Sequence, residues 1–128
     1  MKKFFIGLLS LFSFTANAIY FGDVKTISNT QLLKDREQYV VLDVRSNKEY
    51  AEGHIEGAIN IPHTEVANHI ARLKAESDKT IVVHCRSGYR AGKAEDVLME
   101  NGISNLLHLE GDMLKWQKDG LPLVTGKN

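Results

Sequence analysis

Thr80-Ile81-Val82-Val83-His84 is an apolar, β-branched run that stops at Cys85. It is too short for a buried helix and has no polar alternation, so a strand built here is covered on both faces. Tyr39-Val40-Val41-Leu42, ending at Asp43, is a second such run, and Leu106-Leu107-His108-Leu109 is a weaker third. Helical patterns lie between them. Ser28 and Gln31 have the spacing of a capping box, with Leu32 and Leu33 following. Thr64 is a candidate cap for a helix with apolar positions Val66, Ile70 and Leu73. Ala91, Ala94, Val97 and Leu98 form another stripe, which Asn101-Gly102 should end. Residues Asp112 to Lys118 can make a short helix before Gly120 and Pro122. Strands alternating with helices predict an α/β domain with a mainly parallel sheet. Ligands of such sheets bind beyond the carboxyl ends of strands, and Cys85 stands there, one residue past the strongest run.

The first eighteen residues read as a segment outside that domain. Lys2 and Lys3 are followed by an uncharged, mostly apolar run from Phe4 to Phe14 and by Ala16-Asn17-Ala18. This is the order of a secretory signal peptide with a small-residue cleavage site. The run is short for a membrane span, which needs about 20 apolar residues. Cleavage after Ala18 would leave residues 19–128 as a single domain in the periplasm, with no further membrane-seeking segment. The full chain of 128 residues carries 16 basic and 16 acidic side chains, so nothing electrostatic favours a nucleic-acid partner. Its single cysteine can form no intrachain disulfide and no thiolate metal cluster. An unpaired thiol in an oxidising compartment is a liability unless it is inert, paired between chains or kept for its reactivity.

The neighbours of Cys85 decide among these. The segment Cys85-Arg86-Ser87-Gly88-Tyr89-Arg90 joins the strand to the Ala91–Leu98 stripe. The free N–H groups of that helix's first turn face the loop and favour an anion. Gly88 allows successive N–H groups to turn inward as a nest. Arg86 and Arg90 add positive charge. All three favour an anionic sulfur on Cys85 and an anionic ligand beside it.

The loop resembles the active loop of the rhodanese family, Cys-x-x-Gly-x-[Arg/Thr/Ser], from Cys85 through Arg90. Other blocks extend the resemblance. Leu42-Asp43-Val44-Arg45, Glu49-Tyr50 and Gly53-His54-Ile55-Glu56-Gly57-Ala58-Ile59-Asn60-Ile61-Pro62 look like the family's first block. Leu109-Glu110-Gly111-Asp112, Trp116 and Gly120-Leu121-Pro122 look like its last. Together they span about Val24 to Val124. The family often has a second glycine where this chain has Asp112, a residue that could instead cap the following helix.

The resemblance implies about five parallel strands, helices on both faces and a loop that cradles one sulfur atom. It implies a sulfurtransferase with Cys85 as nucleophile and Arg86, Ser87, Gly88, Tyr89 and Arg90 around the substrate. The donor would be a small anion, thiosulfate in preference to mercaptopyruvate because the loop is cationic. The acceptor would be cyanide or a thiol, and no cofactor is implied. Related phosphatases and arsenate reductases use a loop one residue longer, Cys-x5-Arg, whereas Arg90 makes this one Cys-x4-Arg. The non-enzymatic alternative is a persulfide carrier or binding module, which would keep the same loop.

Other residues invite a catalytic reading that their surroundings do not favour. Asp43 and Arg45 read as an ion pair or cap that braces the domain. His84 should point to the opposite sheet face from Cys85. His54 and His63 read as structural or rim residues, and the five histidines offer no metal-binding pair facing a carboxylate. Trp116 reads as core, while Tyr89 lies inside the loop with its role open.

Overall fold

The run that ends at Cys85 forms the centre of the sheet. The computed structural model describes residues 19–127. In chain order the elements are β1 (Tyr20–Phe21), β2 (Val24–Ile27), α1 (Asn29–Lys34), β3 (Tyr39–Asp43), α2 (Asn47–Glu52) and β4 (Ile59–Asn60). There follow α3 (Ile70–Ala75), β5 (Thr80–His84), α4 (Tyr89–Glu100), β6 (Leu106–Leu109) and α5 (Asp112–Lys118). The sheet runs β1-β2-β6-β5-β3-β4. β5 pairs in parallel with β3 through Val41↔Val82 and Leu42↔Val83, and with β6 through Val82↔Leu107 and Val83↔His108. Five strands are parallel, as expected. A sixth, β1, is added antiparallel at the edge against β2. The candidate signal peptide, residues 1–18, lies outside the described residues.

Both faces of β5 are covered. Ile81, Val83 and Cys85 pack with Leu73 of α3 and with Ala91, Ala94 and Leu98 of α4. Val82 faces the other way, among Leu32, Tyr50, Met113 and Trp116 from α1, α2 and α5. Burying one such aliphatic or aromatic side chain contributes about 1.5–3 kcal/mol, so these two clusters hold the sheet between its helical layers. Trp116 is core, as its sequence context suggested, and its indole N–H donates to the Pro122 carbonyl at 2.9 Å.

Helix α4 ends where Asn101-Gly102 predicted. Ile103 N–H donates to the Leu98 carbonyl at 2.9 Å and Gly102 N–H to that of Met99 at 3.1 Å, a Schellman motif. Ser28 caps α1 by accepting the Gln31 N–H at 3.1 Å. The complete capping box lies elsewhere, at Ser46 and Glu49 on α2. Thr64 is not a helix cap. Residues His63–His69 form a 3-10 segment after Pro62, and α3 starts only at Ile70. The His63 N–H is held by the Val44 carbonyl at 3.0 Å, which ties this entry to the end of β3, while Val66 and Leu73 remain buried.

Candidate active site

Cys85 leaves the end of β5 and the chain enters α4 within four residues, at Tyr89. The side chain of Cys85 is on the α4 face and only 1% exposed. Gly88 precedes α4 with φ of 120°, and its N–H donates to the Cys85 Sγ at 3.0 Å. No other residue suits this place: a Cβ here would lie 3.0 Å from the Phe21 ring in a backbone conformation that side chains disfavour. The glycine in the loop therefore brings a main-chain donor to the sulfur.

The remaining loop residues divide. Arg86, Ser87 and Tyr89 are exposed at the rim, and Lys93 lies over the Tyr89 ring at 5.4 Å. Arg90 is half-buried and already has a partner. Its Nη1 and Nη2 donate to Glu49 Oε1 and Oε2 at 2.7 and 3.0 Å. That hydrogen bonding to Arg90, against some burial, holds the Glu49 carboxyl at a pKa of about 2 and raises that of Arg90. Arg86 is thus the loop cation that faces solvent without a carboxylate partner among the described ion pairs. A small cleft of about 180 Å³ beside the loop is lined by Arg45, Glu49, Arg86, Met113 and Gln117, among others.

Behind the loop stands a buried cluster on β6, α4 and α5. The Cys85 N–H donates to Asp112 Oδ1 at 2.9 Å. Asp112 Oδ2 accepts from His108 Nε2 at 3.0 Å, and His108 Nδ1 donates to Glu95 Oε2 at 2.6 Å. All three side chains are almost fully buried. Burial pulls the imidazolium of His108 down, but its bonds to Asp112 and Glu95 outweigh this and leave its pKa at about 9. Burial raises the pKa of Glu95, and its bond to His108 offsets only part of that. Phe21 of β1 stacks on the His108 ring at 3.9 Å.

Asp112 does not cap α5 as its position in the sequence suggested. Gly111 is the N-cap and makes no side-chain bond, while the Asp112 carboxylate reaches back to Cys85. The signal for this role was present as the replacement of a glycine, four residues after His108. Glu95 gave no signal, because its position on α4 looks like that of any helical carboxylate.

The other candidates are placed as braces. Arg45 chelates Asp43 through Nε at 2.9 Å and Nη2 at 2.7 Å, and its Nη2 also donates to the Gly53 carbonyl at 2.8 Å. His84 is fully buried and its Nδ1–H donates to the Cys85 carbonyl at 3.0 Å. Burial lowers its pKa against the pull of Asp43, so the ring is neutral and not placed to serve as a base. His54 stacks on Tyr50 at 3.6 Å, and its main chain pairs with Val124.

Comparison with known proteins gives one answer for the domain. Residues 28–119 match the rhodanese-like domain family. A sulfurtransferase of Allochromatium vinosum is 31% identical over 104 residues, covering 81% of this chain and 95% of that protein. An uncharacterised protein of Synechocystis is 34% identical over 98 residues, covering 77% of this chain and 54% of its own length. The chain thus spans about half of the Synechocystis protein, and 35% of the tRNA uridine(34) hydroxylase of Sodalis glossinidius that it also matches. Among solved structures, a rhodanese-related protein of Thermoplasma volcanium superposes with a TM-score of 0.66 at 34% identity, over 77% of this chain and 96% of that one.

Proposed function

The chain belongs to the rhodanese-like domain family, and on that premise we propose that it is a thiosulfate sulfurtransferase working through a persulfide on Cys85. Its relatives support sulfur transfer in general. The observation that carries the finer reading is the Gly88 N–H at 3.0 Å from Sγ, where β5 passes into α4. A donor held there strengthens as charge collects on sulfur and needs no reorganisation.

In the first half-reaction the Cys85 thiolate attacks the outer sulfur of thiosulfate. A bond forms between Sγ and that sulfur, the old sulfur–sulfur bond breaks, and its electron pair leaves with sulfite. In the second, cyanide or a thiolate attacks the outer sulfur of the persulfide. The electron pair of the broken bond returns to Cys85, and thiocyanate or a new persulfide departs. Products leave in separate steps, so the kinetics are ping-pong. Neither half-reaction calls for a metal or organic cofactor. The Gly88 N–H and the first turn of α4 stabilise the charged sulfur. Arg86, exposed and unshared, attracts the dianionic donor. Arg90 is matched by Glu49 and acts mainly to hold the start of α4 against α2. Ser87 and Tyr89 form the rim through which donor and acceptor arrive.

We also place this activity in the periplasm, after removal of residues 1–18, on the order of charged, apolar and small residues there. N-terminal sequencing of the exported protein should begin at Ile19. The activity is tested by thiocyanate formation from thiosulfate and cyanide. The wild type should turn over with ping-pong kinetics, and Cys85→Ala should be inactive. A folded wild type without turnover, but able to take a sulfur from a persulfide-bearing protein, would replace the enzyme by a carrier.

A further inference from the structure

Asp112 holds an unusual backbone position, and its carboxylate is spent on the loop. Its φ is 54°, the one positive value on a non-glycine residue among the described residues. This conformation costs a residue with a side chain more than it costs glycine, although Asp bears it better than most. Here both oxygens are engaged, one by the Cys85 N–H and one by His108, at 2% exposure. The next two residues grip the same stretch. Met113 N–H donates to the Cys85 carbonyl at 3.0 Å and Leu114 N–H to that of Arg86 at 3.1 Å. The N–H and the carbonyl of Cys85 are therefore both bound by the first residues of α5.

The cluster also reaches Gly88. Phe21 lies flat on His108, with 9° between the rings, and the same ring backs Gly88. Glu95 fixes the other nitrogen of His108 at 2.6 Å. One connected set of side chains thus stands behind both Cys85, which carries the sulfur, and Gly88, which donates to it.

We propose that Asp112 is a positioning residue of this loop: supported by His108, Glu95 and Phe21, it fixes the Cys85 main chain so that Sγ stays against the Gly88 N–H. It touches neither donor nor acceptor and acts through Cys85 and Gly88. The consequence for rate rests on the sulfurtransferase reading above, while the geometric claim stands without it. Displacement of a reacting atom by about 1 Å can cost on the order of a hundredfold in rate, so loss of the clamp acts on turnover more than on donor binding.

The test compares wild type, Asp112→Gly and Asp112→Asn. Glycine accepts the backbone conformation but removes the carboxylate. Asparagine keeps an oxygen for the Cys85 N–H. Three quantities are measured: melting temperature, amide hydrogen exchange at Gly88, and kcat and KM in the thiocyanate assay. Asp112→Gly leaves the buried His108 with one carboxylate partner and should melt below the wild type; assayed well below its melting temperature, it should still lose at least about tenfold in kcat with KM for thiosulfate within about threefold. Exchange at Gly88, whose N–H bonds to Sγ and not to the Asp112 carboxylate, should accelerate by at least about tenfold. Asp112→Asn should restore most of both. Wild-type kcat and Gly88 protection in a folded Asp112→Gly would overturn the proposal, as would loss only in step with the unfolded fraction. If the wild type forms no thiocyanate, the sulfurtransferase reading fails, and Gly88 exchange alone decides this one. If Asp112→Gly does not fold, Glu95→Gln tests the same cluster from its far end: faster Gly88 exchange supports the clamp and unchanged exchange overturns it.

Discussion

Two buried charged clusters flank Cys85, one at the end of each strand beside β5. At the end of β3, Asp43 and Arg45 close on one another, and Asn60 ties the carbonyls of both to β4 at 2.9 and 3.0 Å. At the end of β6, Glu95, His108 and Asp112 form a chain with an open end, which takes the Cys85 N–H. The chemistry is similar, with carboxylates and cations sealed from water. The first cluster gives its remaining hydrogen bond to the Gly53 carbonyl and braces the scaffold. The second leaves one carboxylate oxygen for the loop that bears the sulfur. A buried ion pair near a reactive residue is therefore not by itself part of the site; the difference lies in where its last hydrogen bond goes.

The largest effect that separates the clusters is on stability. Arg45→Ala strands Asp43, which is fully buried, without its partner. Urea unfolding should show a loss of about 3–5 kcal/mol, because a buried charge loses its compensation. Activity per folded molecule should be nearly unchanged, which a catalytic role for Arg45 would not allow.

A second contrast is pH. The folded pKa of His108 is about 9, above its ordinary value of 6.5. A cation favoured by folding stabilises fully below the ordinary pKa, and that contribution is lost as pH rises through the folded one. Glu95, whose pKa is also raised, acts in the same direction. Melting temperature should therefore fall between about pH 6.5 and 9. His108→Gln should lose this slope, and Arg45→Ala should keep it. A wild type whose stability is flat across this range would contradict the assignment of His108 as a buried cation.

The rim should respond in binding and not in folding. Arg86→Ala is expected to raise KM for thiosulfate several-fold, with little change in kcat or melting, and added salt should shrink the difference. Glu49→Gln should have the smallest effect. Its pair with Arg90 is partly exposed, so unfolding should show a loss of no more than about 1 kcal/mol. Because the Glu49 pKa is depressed to about 2, this contribution is present above its ordinary value of 4.5 and fades as pH falls toward 2.

Much of this arrangement was legible in the sequence. The three apolar runs became β3, β5 and β6, and Cys85 stands past the strand end where ligands of such sheets gather. Asn101-Gly102 marked the end of α4 because its turn chemistry is local. Strands β1, β2 and β4 were not marked: β1 and β4 have two residues each, β2 has a Lys and a Thr among its four, and all three depend on the neighbours they pair with. The loop residues were legible as a contiguous motif. The pairing of Arg90 with Glu49 was not, because it joins residues 41 positions apart. Asp112 showed itself only as a glycine replaced, and local reasoning assigned it to the helix it begins. Its true partner is 27 residues away, on the other side of β6 in the chain.

The most direct test of the account is the intact mass of the protein after thiosulfate treatment and again after cyanide. The wild type should gain the mass of one sulfur atom, cyanide should remove it as thiocyanate, and Cys85→Ala should gain nothing. An unmodified wild type, or a mass gain that persists in Cys85→Ala, would contradict it.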